Sequence, residues 1–161
     1  MSLLLNISMK NKMNFRIYLQ IAAGLFFFIG VFHIFIVFFG FNSANADEEK
    51  IIGVMRSYYF DTPGGIQRSM MNLMDSYNYS FAVFNSLLGF ITIFLLRMQL
   101  QPAAYRQLII INIAAWVIMV IILSATSVLP AVISYGLILL CFIASYINLK
   151  KNNETGKQVK N

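Results

Sequence analysis

The chain has 161 residues and a formal net charge of +6; 59% of it is hydrophobic, 15% aromatic and only 11% charged. Ordinary soluble domains are about a quarter charged, and a water-soluble core of this length cannot bury so much apolar surface, which speaks against a soluble enzyme or binding domain. The basic residues fall in short groups beside apolar runs and form no single patch, so nucleic acid is not an expected partner.

Four apolar runs, at about Ile17–Phe41, Phe81–Leu96, Leu108–Val128 and Ala131–Leu149, contain no charged residue. About 20 such residues are what a helix needs to cross a hydrocarbon layer ~30 Å thick. The predicted fold is all-α: an integral membrane four-helix bundle in one domain over residues 1–161, with an outer cap over residues 45–79 built around a short amphipathic helix. Charge sets the orientation. Lys10, Lys12 and Arg16 precede the first run without an acid, Arg97 and Arg106 separate the second from the third, and Lys150, Lys151, Lys157 and Lys160 against Glu154 follow the fourth. The segment after the first run holds Lys50, Arg56 and Arg68 against Asp47, Glu48, Glu49, Asp61 and Asp75. Basic residues thus alternate sides, as the positive-inside bias predicts for a multi-pass protein with both termini in the cytoplasm.

Ala44-Asn45-Ala46 has the small-x-small form of a signal-peptidase site, and cleavage after Ala46 would remove the first span. The run before it is longer than a signal h-region and contains Gly24, Gly30 and His33, so it is read as a retained span. From Asp47, acids occupy a first helical turn, where they suit the helix dipole. Ile51, Ile52, Met55, Tyr58 and Tyr59 then recur on one helical face. Asp61-Thr62-Pro63-Gly64-Gly65 is read as a breaker, with the second long helix starting near Ile66. Pro102 and Pro130 stand where helices can start, the Leu129–Pro130 joint makes the last two spans antiparallel neighbours, and Lys150–Asn161 is expected to fray.

His33, the single histidine, lies about 12 Å inside the first span, and an ionisable residue at such depth is a functional-site candidate. Asn85 and Ser86, then Ser124, Thr126 and Ser127, then Ser134 and Tyr135, reach comparable levels in the other spans. His33, Asn85, Ser124, Thr126 and Tyr135 are therefore the candidate lining of an outward-facing polar pocket. The alternative is that they are hydrogen-bonding ties between helices, each worth about 0.6–2 kcal/mol, with Gly24, Gly30, Gly89 and Gly136 as points of close approach. In the cap, Arg56, Arg68 and Asp75 form either a structural ion pair or an anion- or headgroup-binding site. Met70, Met71 and Met74 offer soft thioether ligands for Cu(I), or flexible packing against the first helix.

Cys141 is the chain's one cysteine, so no internal disulfide or cysteine metal site exists. HExxH, Walker A, GxGxxG and GxSxG patterns are absent, no catalytic motif is recognisable, and no cofactor is indicated. Gly24…Gly30-x-x-His33, with Arg68-Ser-Met-Met-Asn-Leu-Met…Tyr79-Ser80-Phe81 entering the second span, resembles small four-span bacterial inner-membrane proteins of the DoxX-like type over about residues 17–149. The resemblance implies a bacterial inner-membrane location and carries no catalytic residues; redox members of such bundles use cysteines, which this chain lacks as a pair. Two functions are expected from the sequence. One is binding of a lipid, quinone or other amphiphile near His33, Asn85 and Tyr135. The other is service as a non-catalytic accessory subunit docked on a membrane-protein partner.

Overall fold

A computed structural model of the protein describes residues 2–40, 45–98, 100–126 and 129–158, with the side chains of those between 15 and 151. Phe41, Ala44, Ser127, Val128 and Lys160, on which expectations above fall, lie outside the described residues, as do the side chains of Lys10, Lys12, Glu154 and Lys157. The elements are α1 (Ser2–Phe39), α2 (Ala46–Ser57), β1 (Tyr59–Thr62), β2 (Ile66–Ser69), α3 (Met70–Arg97), α4 (Pro102–Thr126) and α5 (Leu129–Gln158). Phe15–Phe39, Met70–Arg97, Pro102–Thr126 and Leu129–Lys151 are each long and apolar enough to cross a membrane. The chain is a multi-pass membrane protein. It divides into two compact units, Met1–Phe26 with Leu88–Asn161, and Phe27–Leu87.

The four long helices all contribute to the first unit, the all-α bundle expected from the sequence. Phe15, Leu19, Ala22, Ala23 and Phe26 of α1 are buried, as are Tyr105, Ile109 and Trp116 of α4 and Tyr135, Ile138, Phe142, Ser145 and Leu149 of α5. These positions recur every three or four residues, so each helix buries a single stripe. Aromatic rings connect the stripes. Phe26 lies 5.2 Å from Trp116, which stacks on Tyr135 at 5.3 Å, and Phe15 meets Tyr105 edge-on at 5.4 Å. Two hydrogen bonds also cross between helices: Ser145 Oγ donates to the Phe15 carbonyl (3.0 Å) and the Tyr105 hydroxyl to that of Leu95 (3.0 Å). Pro102 opens α4, where its missing N–H costs nothing. The tail expected to fray is helical through Gln158.

The second unit holds the remainder of α1, then α2, the hairpin and the first turns of α3. Asn45 caps α2: its Oδ1 accepts from the N–H groups of Asp47 (3.1 Å) and Glu48 (2.9 Å), and Asp47, Glu48 and Glu49 fill the first turn as expected. The helix stops at Ser57, so Tyr58 and Tyr59 leave its anticipated face and Tyr59 opens β1.

The expected breaker is instead a hairpin turn. β1 and β2 are antiparallel, pairing Tyr59 with Ser69, Phe60 with Arg68, Asp61 with Gln67 and Thr62 with Ile66. Gly65 N–H donates to the Thr62 carbonyl (3.0 Å), and Gly64 and Gly65 have φ of 101° and 74°. Proline in second place and a positive-φ glycine in third suit a type II turn. The start of α3 is corrected accordingly, from near Ile66 to Met70. Ser69 fixes that boundary: it is buried, its hydroxyl accepts from Asn72 N–H (3.2 Å) and donates to Asn72 Oδ1. A serine three residues before asparagine is a helix-start signal that outweighs continuation from Ile66.

Within this unit α1 and α3 approach closely at Gly30. A Cβ placed there would lie 2.7 Å from Ser86 Oγ and 3.0 Å from the Ala82 carbonyl oxygen. Gly24 and Gly136, expected to act alike, have open space where a Cβ would go. In detergent unfolding titrations, Gly30→Ala should lower stability by about 1–3 kcal/mol through overpacking. Gly24→Ala should be neutral or stabilising by up to about 1 kcal/mol, and equal losses at both would refute this assignment of the contact.

Candidate functional site

Most polar side chains along the spans bond to the carbonyl four residues earlier in their own helix. Asn85 Nδ2 donates to Phe81 (2.8 Å), Thr92 Oγ1 to Leu88 (2.8 Å), Asn112 Nδ2 to Leu108 (2.8 Å), Ser124 Oγ to Val120 (2.7 Å) and Thr126 Oγ1 to Ile122 (2.8 Å). Hydrocarbon supplies no partner, so a short side chain takes the nearest acceptor. Ser124 and Thr126 are exposed, and Tyr135 is buried against Trp116.

His33 and Asn85 belong to the second unit, where both meet Phe81. His33 Nδ1–H donates to Asn78 Oδ1 (2.8 Å), and its ring stacks on Phe81 at 5.3 Å and 18°. Asn85, fully buried, bonds the carbonyl of that same Phe81. Asn78, Phe81, Ala82 and Asn85 lie on successive turns, so one face of α3 receives α1. His33 is thus tied across helices by Asn78, a partner that the sequence reading did not single out. Met71 and Met74 precede Asn78 by seven and four positions on this face, the spacing of side chains that pack. Met70 is exposed. Among the described residues no three or more His, Cys, Asp or Glu side chains group to hold a metal ion.

A second α3 face meets the hairpin, and there the polar residues converge. Opposed residues on antiparallel strands share a face, which puts Phe60, Arg68, Thr62 and Ile66 together. All four line a depression of about 560 Å³, completed by Asn72, Leu73, Asp75, Ser76 and Tyr79 of α3. Asn72, Asp75 or Ser76, and Tyr79 recur at helical spacing, so the floor is one side of the first turns of α3. Ser76 Oγ donates to the Asn72 carbonyl (2.8 Å).

Arg68 and Asp75 therefore face one space, but they do not form the expected ion pair. Among the described residues the salt bridge is Lys50–Asp47 (3.2 Å), and none joins Arg56, Arg68 and Asp75. Arg68 lines the opening from a strand and Asp75 from a helix, while Arg56 stands on exposed α2 outside the lining. From Ser76 to Leu96 no residue is charged, so the Asp75–Arg97 interval, about 33 Å of helix, matches the ~30 Å hydrocarbon layer. The depression thus lies where a membrane helix changes from charged to uncharged. Hairpin lining by Phe60, Thr62 and Ile66 was missed from sequence, although two short runs flanking a Pro-Gly-Gly turn carry the signal.

Fold and site together define a multi-pass membrane protein with a polar depression at one end of a membrane helix. No protein-family profile, no curated protein and no solved structure matches the chain.

The His33–Asn78 bond generates a measurable coupling. A double-mutant cycle with His33→Ala and Asn78→Ala, read by detergent unfolding, should return about 0.6–1.7 kcal/mol, the range for hydrogen bonds between membrane helices. Strictly additive losses would show that the two side chains act separately.

Proposed function

We propose that the protein binds the polar head of an amphiphile in the hairpin–α3 depression, as a bacterial inner-membrane protein with both termini in the cytoplasm and the hairpin on the opposite side. One observation carries the reading. Arg68 and Asp75, neither side chain with a protein partner among the described residues, face a single open depression, and an exposed apolar stripe continues from it along α3. Tyr79, Val83 and Leu87 follow at intervals of four and are 48%, 69% and 53% exposed. A headgroup in the depression would lay its chain along that stripe, with each part in matching surroundings. Charged side chains at this depth need a partner or water, and a bound head would supply the partner.

The orientation is supported by Arg16, Arg97, Arg106, Lys150 and Lys151 against the acids of α2 and the hairpin. The basic end also has rings suited to an interface, with the Arg16 guanidinium 5.9 Å from the Phe15 and Tyr105 rings and that of Arg106 6.0 Å from Tyr146. In this reading His33 and Asn85 fasten helices beside the site. Kinship with DoxX-like bundles is part of the same proposal and assigns no residue a role.

Two measurements test it. Green fluorescent protein fused after Asn161 should fluoresce in a bacterial host, and a phosphatase inserted between Gly64 and Gly65 should be active; the reverse pattern would overturn the orientation. Native mass spectrometry from mild detergent should find co-purified lipid, with occupancy reduced about tenfold by Arg68→Ala, the loss expected for charge-assisted hydrogen bonds. Unchanged occupancy would refute binding at the depression.

A further inference from the structure

We propose that the ligand's head is a zwitterion in which a phosphate is joined by a short linker to a primary ammonium; this rests on the headgroup reading above and specifies its chemistry. Arg68 and Asp75 line the same depression and are not paired with each other. A purely anionic head would satisfy Arg68 and meet the Asp75 carboxylate with like charge, whereas a purely cationic head would satisfy Asp75 and meet the guanidinium. Only a head carrying both signs answers both walls.

The remaining lining sorts by the same rule. Asn72, whose Oδ1 accepts from Ser69, is part of the same lining. The Arg68 guanidinium favours the phosphate. Asp75 and Tyr79, four residues apart, lie one above the other on α3. A carboxylate only accepts hydrogen bonds, so it selects an ammonium that retains N–H groups over a trimethylated one. The Tyr79 ring beside it adds a cation–π face. An aminoethyl phosphate head carries both groups, and it is available either from an ethanolamine phospholipid or as a free aminoalkyl phosphate.

The test uses full-length protein in mild detergent and native mass spectrometry with four probes: dioleoyl phosphatidylethanolamine, phosphatidylglycerol, phosphatidylcholine and soluble glycerophosphoethanolamine. The ethanolamine lipid should be retained about tenfold over the other two lipids. Asp75→Asn should abolish that preference without weakening phosphatidylglycerol, Asp75→Glu should keep it, and Arg68→Ala should weaken all three. Circular dichroism of each variant confirms folding, and the Asn and Glu pair separates charge from shape. Wild-type preference for phosphatidylglycerol, or a preference that survives Asp75→Asn, overturns the zwitterion, and preference for phosphatidylcholine overturns the primary ammonium; each leaves the headgroup reading standing. Lipid retention indifferent to Arg68 overturns both. Displacement of the lipid by equimolar glycerophosphoethanolamine supports the zwitterion with a soluble source in place of a lipid.

Discussion

Hydrocarbon offers a polypeptide nothing to hydrogen-bond, and it rewards no helix for burying apolar surface against another. The first condition confines backbone polarity to helices and pulls side-chain polarity inward. It accounts for the repeated return of Asn85, Thr92, Asn112, Ser124, Thr126, Ser134 and Asn148 to a carbonyl one turn back. The second condition leaves association to close packing and to the few hydrogen bonds that do cross between helices. In one unit these include the Ser145 and Tyr105 bonds, beside stacked rings; the other has the His33–Asn78 bond and the Gly30 contact.

The four spans were legible because length and uninterrupted apolarity need no knowledge of direction. So was the start of α2, where three acids satisfy a local rule, although the Asn45 cap itself was not singled out. What the residues alone did not disclose was where short polar side chains point. Ser124 and Thr126 looked like pocket lining, yet each bonds its own helix, an option that every membrane serine and threonine has. Glycines were equally opaque: Gly30 lies against α3, while Gly24 and Gly136 have open space where a Cβ would go, since small size permits contact without creating a neighbour. The hairpin was hidden for another reason. Its strands are four residues each, too short for alternation to register, and its turn residues also break helices. Arg68 and Asp75 were found as a set, but their placement on a strand and on a helix depends on Ser69 ending the strand between them.

That serine couples two structures. A two-stranded hairpin is marginal in isolation, and here β2 runs directly into α3 through a buried, doubly bonded side chain. The Met70 N–H completes the join by donating to the Tyr58 carbonyl (3.1 Å). The hairpin is thereby joined directly to the first turn of α3, and residues of both line one depression.

At 28 residues, α3 is about 42 Å long, longer than a ~30 Å hydrocarbon slab is thick. Its charged residues are Asp75 and Arg97, and the stretch between them is uncharged, so the excess lies mainly on the Met70 side of Asp75. Bilayer thickness consequently governs how far Asp75 is immersed: a thin bilayer is met by leaning the rod, a thick one by drawing the carboxylate toward oil. Hydrophobic mismatch costs fractions of a kcal/mol per Å, so the position of one acidic side chain near the end of an uncharged stretch sets how much layer thickness the helix tolerates.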